Sequence, residues 1–445
     1  MSAETTPRPA SDDPRVDMQS DAVAARVVDS IDQAQIAADL ATLVSYPSVD
    51  GTDAEHEIQA WMADRLGGLG LGLDVDHWGI DLAAARQDPD FPGMEAEREE
   101  AWGCVGTWHS PDSGGDDDPH PALILNGHVD VVPPGDLELW PNHDPFTMRL
   151  VDGQWWGRGT NDMKGGVAAI LGAVSALRSC GVELKRSLSV HSVIGEEDGG
   201  LGAYATLQRG HAGDMCVIAE PTRHDIVAAN AGSLTFRIVI QGAATHGSTR
   251  TAGVSAIEKF EVVQGALREL ERQRNKEKHP LFAHLDLGWP ISIGIIAAGD
   301  WASTVPDRCV VEGRYGVMPG ESFVEAKAAF FSAIMAACME DPWLREHPVD
   351  LTWPGGLFAP GQLVEGHHLL PDTQAAAVAA GAPMPEPIGG PYGSDLWQYA
   401  YTGVATLQYG PGDVRHAHSI DEHVAVADVM ACARTYALLA LKQCT

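Results

Sequence analysis

The chain has 445 residues, 44% of them hydrophobic, more than one core normally absorbs, so two domains of unequal size are expected. Its 29 Lys and Arg against 62 Asp and Glu leave a net charge of −33, a field that repels phosphate backbones and anionic membrane surfaces. Seven scattered cysteines without a Cys-x-x-Cys pair argue against a disulfide framework and against a thiolate zinc site, and fit a reducing, cytoplasmic setting.

In chain order, residues 1–22 begin Pro/Ser/Asp-rich with no apolar core region, which reads as a disordered leader rather than a signal peptide or membrane anchor. No run of apolar residues long enough to span a bilayer occurs elsewhere. Helical spacing then places two packing helices, one through Ile36, Leu40, Leu43 and Val44, the next through Ile58, Trp61, Met62 and Leu66. Strands are expected over 73–78 and 105–108, and the Gly/Asp/Pro-rich stretch 110–120 reads as a solvated surface turn.

Three runs follow that end alike, the first of them continuously apolar, as in strands buried on both faces. The first, 122–125, ends in Gly127-His128-Val129-Asp130; the second, 188–194, in Gly195-Glu196-Glu197; the third, 215–219, in Glu220-Pro221. Helices over 167–177 and 202–207 separate them, so the strands are parallel in one sheet, and such sheets bind ligands beyond the carboxyl ends of their strands. His128, Glu196, Glu197 and Glu220 all fall on that edge. Between the first two runs lies Gly157-Arg158-Gly159-Thr160-Asn161-Asp162-Met163-Lys164-Gly165-Gly166, whose glycines let Asp162 and the next helix come close to another group.

From about residue 229 the order becomes strand, helix, strand, strand, helix, strand (233–241, 254–272, 291–297, 309–317, 323–339, 349–353). That reads as an inserted ferredoxin-like unit with its own core. The expected architecture is therefore α/β: a mostly parallel-sheet catalytic domain (23–228 and 356–445) interrupted by an α+β lid or dimerisation domain (229–355). After the insertion come a helix near 371–380, a loop over 389–395, a strand over 405–409, the segment His416-Ala417-His418-Ser419-Ile420-Asp421-Glu422 and a final helix over 426–441.

Carboxylates are costly to gather unless a positive charge lies between them, and here three strands each deliver acid or imidazole groups to one sheet edge. A pair of divalent cations is the economical explanation. Oxygen and nitrogen donors without thiolate suit zinc, with cobalt or manganese as alternatives.

In these motifs, taken in order from about residue 36 to the C-terminus, the chain resembles the di-zinc amidohydrolases that include acetylornithine deacetylase, succinyl-diaminopimelate desuccinylase, aminoacylases and glutamate carboxypeptidases. The resemblance implies that His128, Asp162 and Glu220 hold one metal and Asp162, Glu197 and His418 the other, with Asp162 shared and joined to Met163 by a cis peptide. It implies that Asp130 orients His128, and that Glu196 is the general base for the attacking water. It further implies that His246 reaches the oxyanion across a homodimer interface and that Arg314 grips a substrate carboxylate. Where many relatives carry asparagine before a Val-Pro pair, this chain has Ser303, which leaves the substrate contact of that loop open. His418 is preferred over His416 because Ser419-Ile420-Asp421-Glu422 follows it in register, and His191, in mid-strand, reads as core. The implied activity is removal of an acyl group from an N-acyl amino acid or related small molecule, acetylornithine-like substrates first. A dipeptidase or carboxypeptidase using the same site is the alternative, and a non-catalytic metal-binding homologue is the third reading.

Overall fold

A computed structural model describes residues 14–70, 73–111 and 120–445, the backbone alone over 14–21. The leader before residue 14 and the turn over 112–119 lie outside those residues. Within the rest of the expected leader a helix is already under way: α1 (Pro14–Asp29) has proline in its first turn, where the missing N–H would be unpaired anyway. Val23 and Val27 seat this helix on the core, which is why it is ordered where composition suggested a tail. The two expected helices follow as α2 (Gln33–Ser45) and α3 (Ala54–Gly67). Asp32 starts α2 by accepting the amides of Ala34 and Gln35 at 2.8 and 3.2 Å, and Ile36, Leu40, Leu43 and Val44 are fully buried.

The chain then runs through β1 (Leu73–Gly79), α4 (Leu82–Ala85), β2 (Trp102–Trp108), β3 (Leu123–His128), β4 (Arg149–Val151), β5 (Gln154–Trp156), α5 (Lys164–Ser179), β6 (Leu188–Val193), α6 (Leu201–Gln208), β7 (Met215–Ile218) and β8 (Ile226–Asn230). Every residue of β3, β6 and β7 is buried, as strands covered on both faces are, and β3 lies between the other two, parallel to both. Successive strand residues point to opposite faces, and Asn126 and Gly127 show what covers each. Asn126 bonds the Tyr399 hydroxyl at 2.8 Å, while a Cβ on Gly127 would meet Val167 of α5, so helices cover both faces. α5 starts unusually close to the sheet: a Cβ on Gly166 would come 2.3 Å from the Ala219 carbonyl oxygen. β8 went unrecognised in the sequence because its five residues run into the next strand with one intervening residue.

β9 (Gly232–Gln241), α7 (Ala256–Arg274), β10 (Ile291–Ala298), β11 (Arg308–Val317), α8 (Phe323–Glu340) and β12 (Asp350–Thr352) form a second sheet, in the antiparallel order β10-β11-β9-β12. β9 alternates buried and half-buried positions. Its inward set, Leu234, Phe236, Ile238 and Ile240, packs with Val263 and Leu267 of α7 and Phe330 and Ile334 of α8 into a core separate from that of the large sheet. Ser322 and Glu325 close the start of α8 as a reciprocal capping box.

β13 (Leu357–Phe358) still pairs with β9, and β14 (Gly361–Gln362) is back on β8. The last stretch is α9 (Leu369–Ala379), β15 (Pro387–Gly390), α10 (Leu396–Tyr401), β16 (Ala405–Gln408), β17 (His423–Ala425) and α11 (Val426–Cys444). The large sheet then reads β1-β2-β6-β3-β7-β16-β8-β14, with β15 beside β8, parallel through its middle and antiparallel at the flanks. β17, β5 and β4 make a small third sheet. The loop expected over 389–395 carries the end of β15 and is followed at once by α10. No helix among the described residues is long and apolar enough to cross a membrane.

Candidate metal centre

His128 ends β3, Glu196 and Glu197 follow β6, Glu220 follows β7, and Asp162 stands just before α5, so the parallel strands aim these groups at one point. Asp162 is the hinge of the arrangement. Its Oδ1 lies 3.3 Å from His128 Nε2 and its Oδ2 lies 3.6 Å from His418 Nε2, so the two carboxylate oxygens face different imidazoles. Glu220 comes within 3.8 Å of His128 Nε2, and Glu197 within 3.0 Å of His418 Nε2. One donor atom from each of His128, Asp162 and Glu197 falls within 4.8 Å of the others, and the same holds for His128, Glu196 and Glu220. The donors are imidazole nitrogen and carboxylate oxygen throughout, a set that fits divalent cations of the zinc, cobalt or manganese kind. Proximity alone also draws Glu196 into a ligand group; its assignment as base comes from the resemblance.

The electrostatics agree with a site built for positive charge. Burial pushes Glu196 and Glu220 well above the ordinary glutamate range, and each is pushed further by neighbouring acids. Burial would lower His128, but Asp130, Asp162, Glu220 and Glu196 outweigh it and hold the imidazole well above its usual value. Glu197 raises His418 to about 9. Burial acts to raise Asp162, yet the hydrogen bond and charge of His128, together with His418, keep it below the usual aspartate value.

Around these groups lies a scaffold. His128 Nδ1 is 3.1 Å from the Asp130 carbonyl oxygen and 3.6 Å from its carboxylate, whose other oxygen accepts the Glu197 amide at 3.1 Å. Asp130 therefore fixes a residue on each side. Glu422 Oε1 accepts the amides of Asn161 and Asp162 at 3.0 and 3.1 Å, while its Oε2 takes the Arg158 guanidinium. The Asp162–Met163 peptide is cis, as the resemblance implies. Lys164 is buried and donates to the carbonyls of Leu43 and Tyr46, both at 2.9 Å, tying the glycine-rich loop to the end of α2. Arg98 pairs with Asp50, Glu55 and Asp198 in the interior, bracing the turn that carries Glu196 and Glu197. Sequence reading passed over Glu422 and Arg98. The one available signal was a buried-length cation inside the acidic run Glu95-Ala96-Glu97-Arg98-Glu99-Glu100.

Two adjoining cavities, about 230 and 160 Å³, open on the site and share Glu196, Glu197, Tyr392, Gly393 and His418 in their walls. A larger one, about 640 Å³, lies elsewhere, between Phe91, Tyr204 and Trp397, and none of the candidate residues lines it. Arg314 lines the 230 Å³ cavity, with its guanidinium 3.0 Å from Glu95. His246 and Ser303 are not brought to either cavity: the Gly247 amide bonds the Ser303 carbonyl at 2.6 Å, and both residues face solvent. His416 packs against His423, leaving His418 as the imidazole at the centre. His191 is buried, with Nδ1 2.9 Å from the Tyr399 hydroxyl, a core position as expected.

Comparison with known proteins adds the family context. The profile of Peptidase family M20/M25/M40 matches residues 124–442. The N-formyl-4-amino-5-aminomethyl-2-methylpyrimidine deformylase of Bacillus subtilis is 30% identical over 412 residues, covering 87% of this chain and 90% of its own. The deformylase of the same name from Halalkalibacterium halodurans is 28% identical over 426 residues, covering 88% and 91%. In fold, the chain is similar to the di-peptidase Dug1p of Saccharomyces cerevisiae, with a TM-score of 0.73 at 15% identity over 94% of this chain and 98% of that one. It is also similar to YXEP of Bacillus subtilis, described as a dinuclear metal binding peptidase, with a TM-score of 0.58 at 14% identity over 92% and 98%.

Proposed function

The chain belongs to the M20/M25/M40 peptidase family and is an amide-bond hydrolase of that family, and from this premise we propose that it deacylates a small N-acyl compound at a two-metal centre. The observation that carries the reading is Asp162 set between His128 and His418, with buried Glu196 beside them. His128, Asp162 and Glu220 would hold one ion, Asp162, Glu197 and His418 the other, with zinc first and cobalt or manganese as alternatives. When bound, such a pair supplies Lewis acidity toward the scissile carbonyl and the attacking water.

The chain's own part is proton management and positioning. Glu196 takes a proton from water as its oxygen adds to the carbonyl carbon, then delivers that proton to the departing nitrogen as the C–N bond breaks. Carboxylic acid and amine leave, and Glu196 returns to its starting state. Asp130 keeps His128 turned toward the centre throughout. The deformylase relatives support a short acyl group such as formyl; the motif resemblance supports an N-acyl amino acid; a dipeptide is the alternative amide.

The inserted unit over 229–355 is proposed as the lid and dimerisation domain. Edge strand β10 exposes Ile295 and Ile296, with Trp301 exposed just beyond it, which supports a homodimer in which His246 serves the neighbouring site. Cys104, Cys180, Cys216, Cys309, Cys338 and Cys432 form no disulfide among the described residues, which supports a cytoplasmic location.

Glu196→Gln tests the mechanism. The variant is expected to keep close to two divalent ions per chain by elemental analysis and to lose turnover by roughly 10²- to 10⁴-fold on a screen of N-formyl, N-acetyl and N-succinyl compounds and dipeptides. Full activity in the variant would remove Glu196 from its role, and metal-replete protein without bound metal would overturn the centre.

A further inference from the structure

The acidic segment before β2 carries Glu95, and the chain around it is tied down on both sides. Ahead of it, the Leu357 amide bonds the Pro92 carbonyl at 2.9 Å, and a Cβ on Gly199 would lie 2.5 Å from the Gly93 carbonyl oxygen. Behind it, the Ala96 amide bonds Asp198 at 2.8 Å, and Arg98 is locked into its buried ion-pair cluster. Glu95 itself crosses over Gly355, which has φ +83 and where a Cβ would come 2.4 Å from Glu95 Cγ. A surface carboxylate with this much backbone support is held in place rather than left to wander.

What it is held against is Arg314. Glu95 Oε1 stands 3.0 Å from Arg314 Nη2 and accepts the Thr235 hydroxyl at 2.6 Å. The other terminal nitrogen of Arg314, Nη1, is buried and without a hydrogen-bond partner among the described residues, and Arg314 lines the same cavity as Glu196, Glu197 and His418. The guanidinium thus lines the cavity with its charge balanced by Glu95, while the unpaired Nη1 is shielded from solvent. Beside it the wall carries apolar surface from Phe358, whose ring centroid is 5.9 Å from the Arg314 guanidinium carbon, and from Pro290, Pro391 and Tyr392, with Ser233 and Ser292 as its neutral polar side chains. The net charge of −33 acts in the same direction, disfavouring anions.

Resting on the hydrolase reading above, we propose that Glu95 is a specificity-determining residue: by neutralising Arg314 it directs the site to N-acyl amines without a carboxylate, held through a neutral hydrogen-bond acceptor, over N-acyl amino acids. A free guanidinium would reward a carboxylate with paired charge-assisted bonds. The Glu95-paired one has its charge already matched, so a carboxylate gains little there and a neutral acceptor is no longer outcompeted.

The test uses metal-reconstituted full-length protein and two substrates that differ by one carboxylate, N-formylbenzylamine and N-formylphenylglycine. Wild type is expected to favour the amine in kcat/KM by about tenfold or more, the span of one hydrogen bond to a charged group. E95Q and E95A are expected to shrink or invert that ratio, chiefly by lowering KM for the carboxylate substrate. A merely structural role would lower both rates together and leave the ratio unchanged. That result, or a wild-type preference for N-formylphenylglycine, overturns the proposal. Absence of hydrolysis of either compound would count against the hydrolase reading for formyl amides, and selectivity is then read by calorimetric binding of benzylamine and phenylglycine to wild type and E95Q. Tighter or equal wild-type binding of phenylglycine overturns the proposal on that readout.

Discussion

At the scale of single residues, the centre depends on side chains that touch neither metal nor substrate. Glu422 bonds the backbone amides on which Asp162 stands, so removing its charge is expected to loosen the proposed shared ligand without deleting it. Glu422→Gln is expected to weaken metal binding by about 10- to 100-fold, the usual cost of losing an outer support, with circular dichroism unchanged and the loss read in a metal titration. The proposed ligands, which the fold brings together, stood out in the sequence because each follows an apolar run or a glycine cluster, and because the order of the motifs is distinctive. Glu95 and Arg98 did not. Their partners, Arg314 and Asp198, lie far along the chain, and ion pairs formed across a fold leave no periodicity to read.

Elements were legible in proportion to their length and apolar content. β3 and β7 declared themselves through short hydrophobic runs, β6 through its run into Gly195-Glu196-Glu197, and α7 and α8 as long helices. β8, β15 and α10 did not, since each is short and buried by its neighbours rather than by a pattern of its own. One tie between elements is open to titration. His224, in the turn after β7, sits 3.0 Å from Asp428 in the first turn of α11, and that hydrogen bond raises the imidazole above 6.5. A raised folded value means that the stabilisation is fully present below the unfolded value and fades as pH rises through the folded one. His224→Gln should therefore lower the melting temperature at pH 5.5 and have little effect at pH 9, measured by differential scanning calorimetry.

For the whole molecule, a centre that draws its proposed ligands from three central strands of the large sheet and from a segment almost two hundred residues further on would link metal to global stability. Ions that bind only the folded chain add about 2.7 kcal/mol at a free concentration one hundred times their dissociation constant, so chelation is expected to lower the melting temperature and zinc to restore it. The exposed edge of β10 makes the second whole-molecule prediction. Inactive His246→Ala and Glu196→Ala proteins, mixed and allowed to exchange, should recover part of the activity if His246 acts on the partner's site; no recovery in verified mixed dimers would assign His246 to a local role. The order in which the ligands occur also has a consequence for biosynthesis. His128, Asp162, Glu197 and Glu220 leave the ribosome long before His418. A nascent chain that has reached residue 220 would therefore carry the proposed set for one ion whole, and the set for the other short of its imidazole until residue 418 is added.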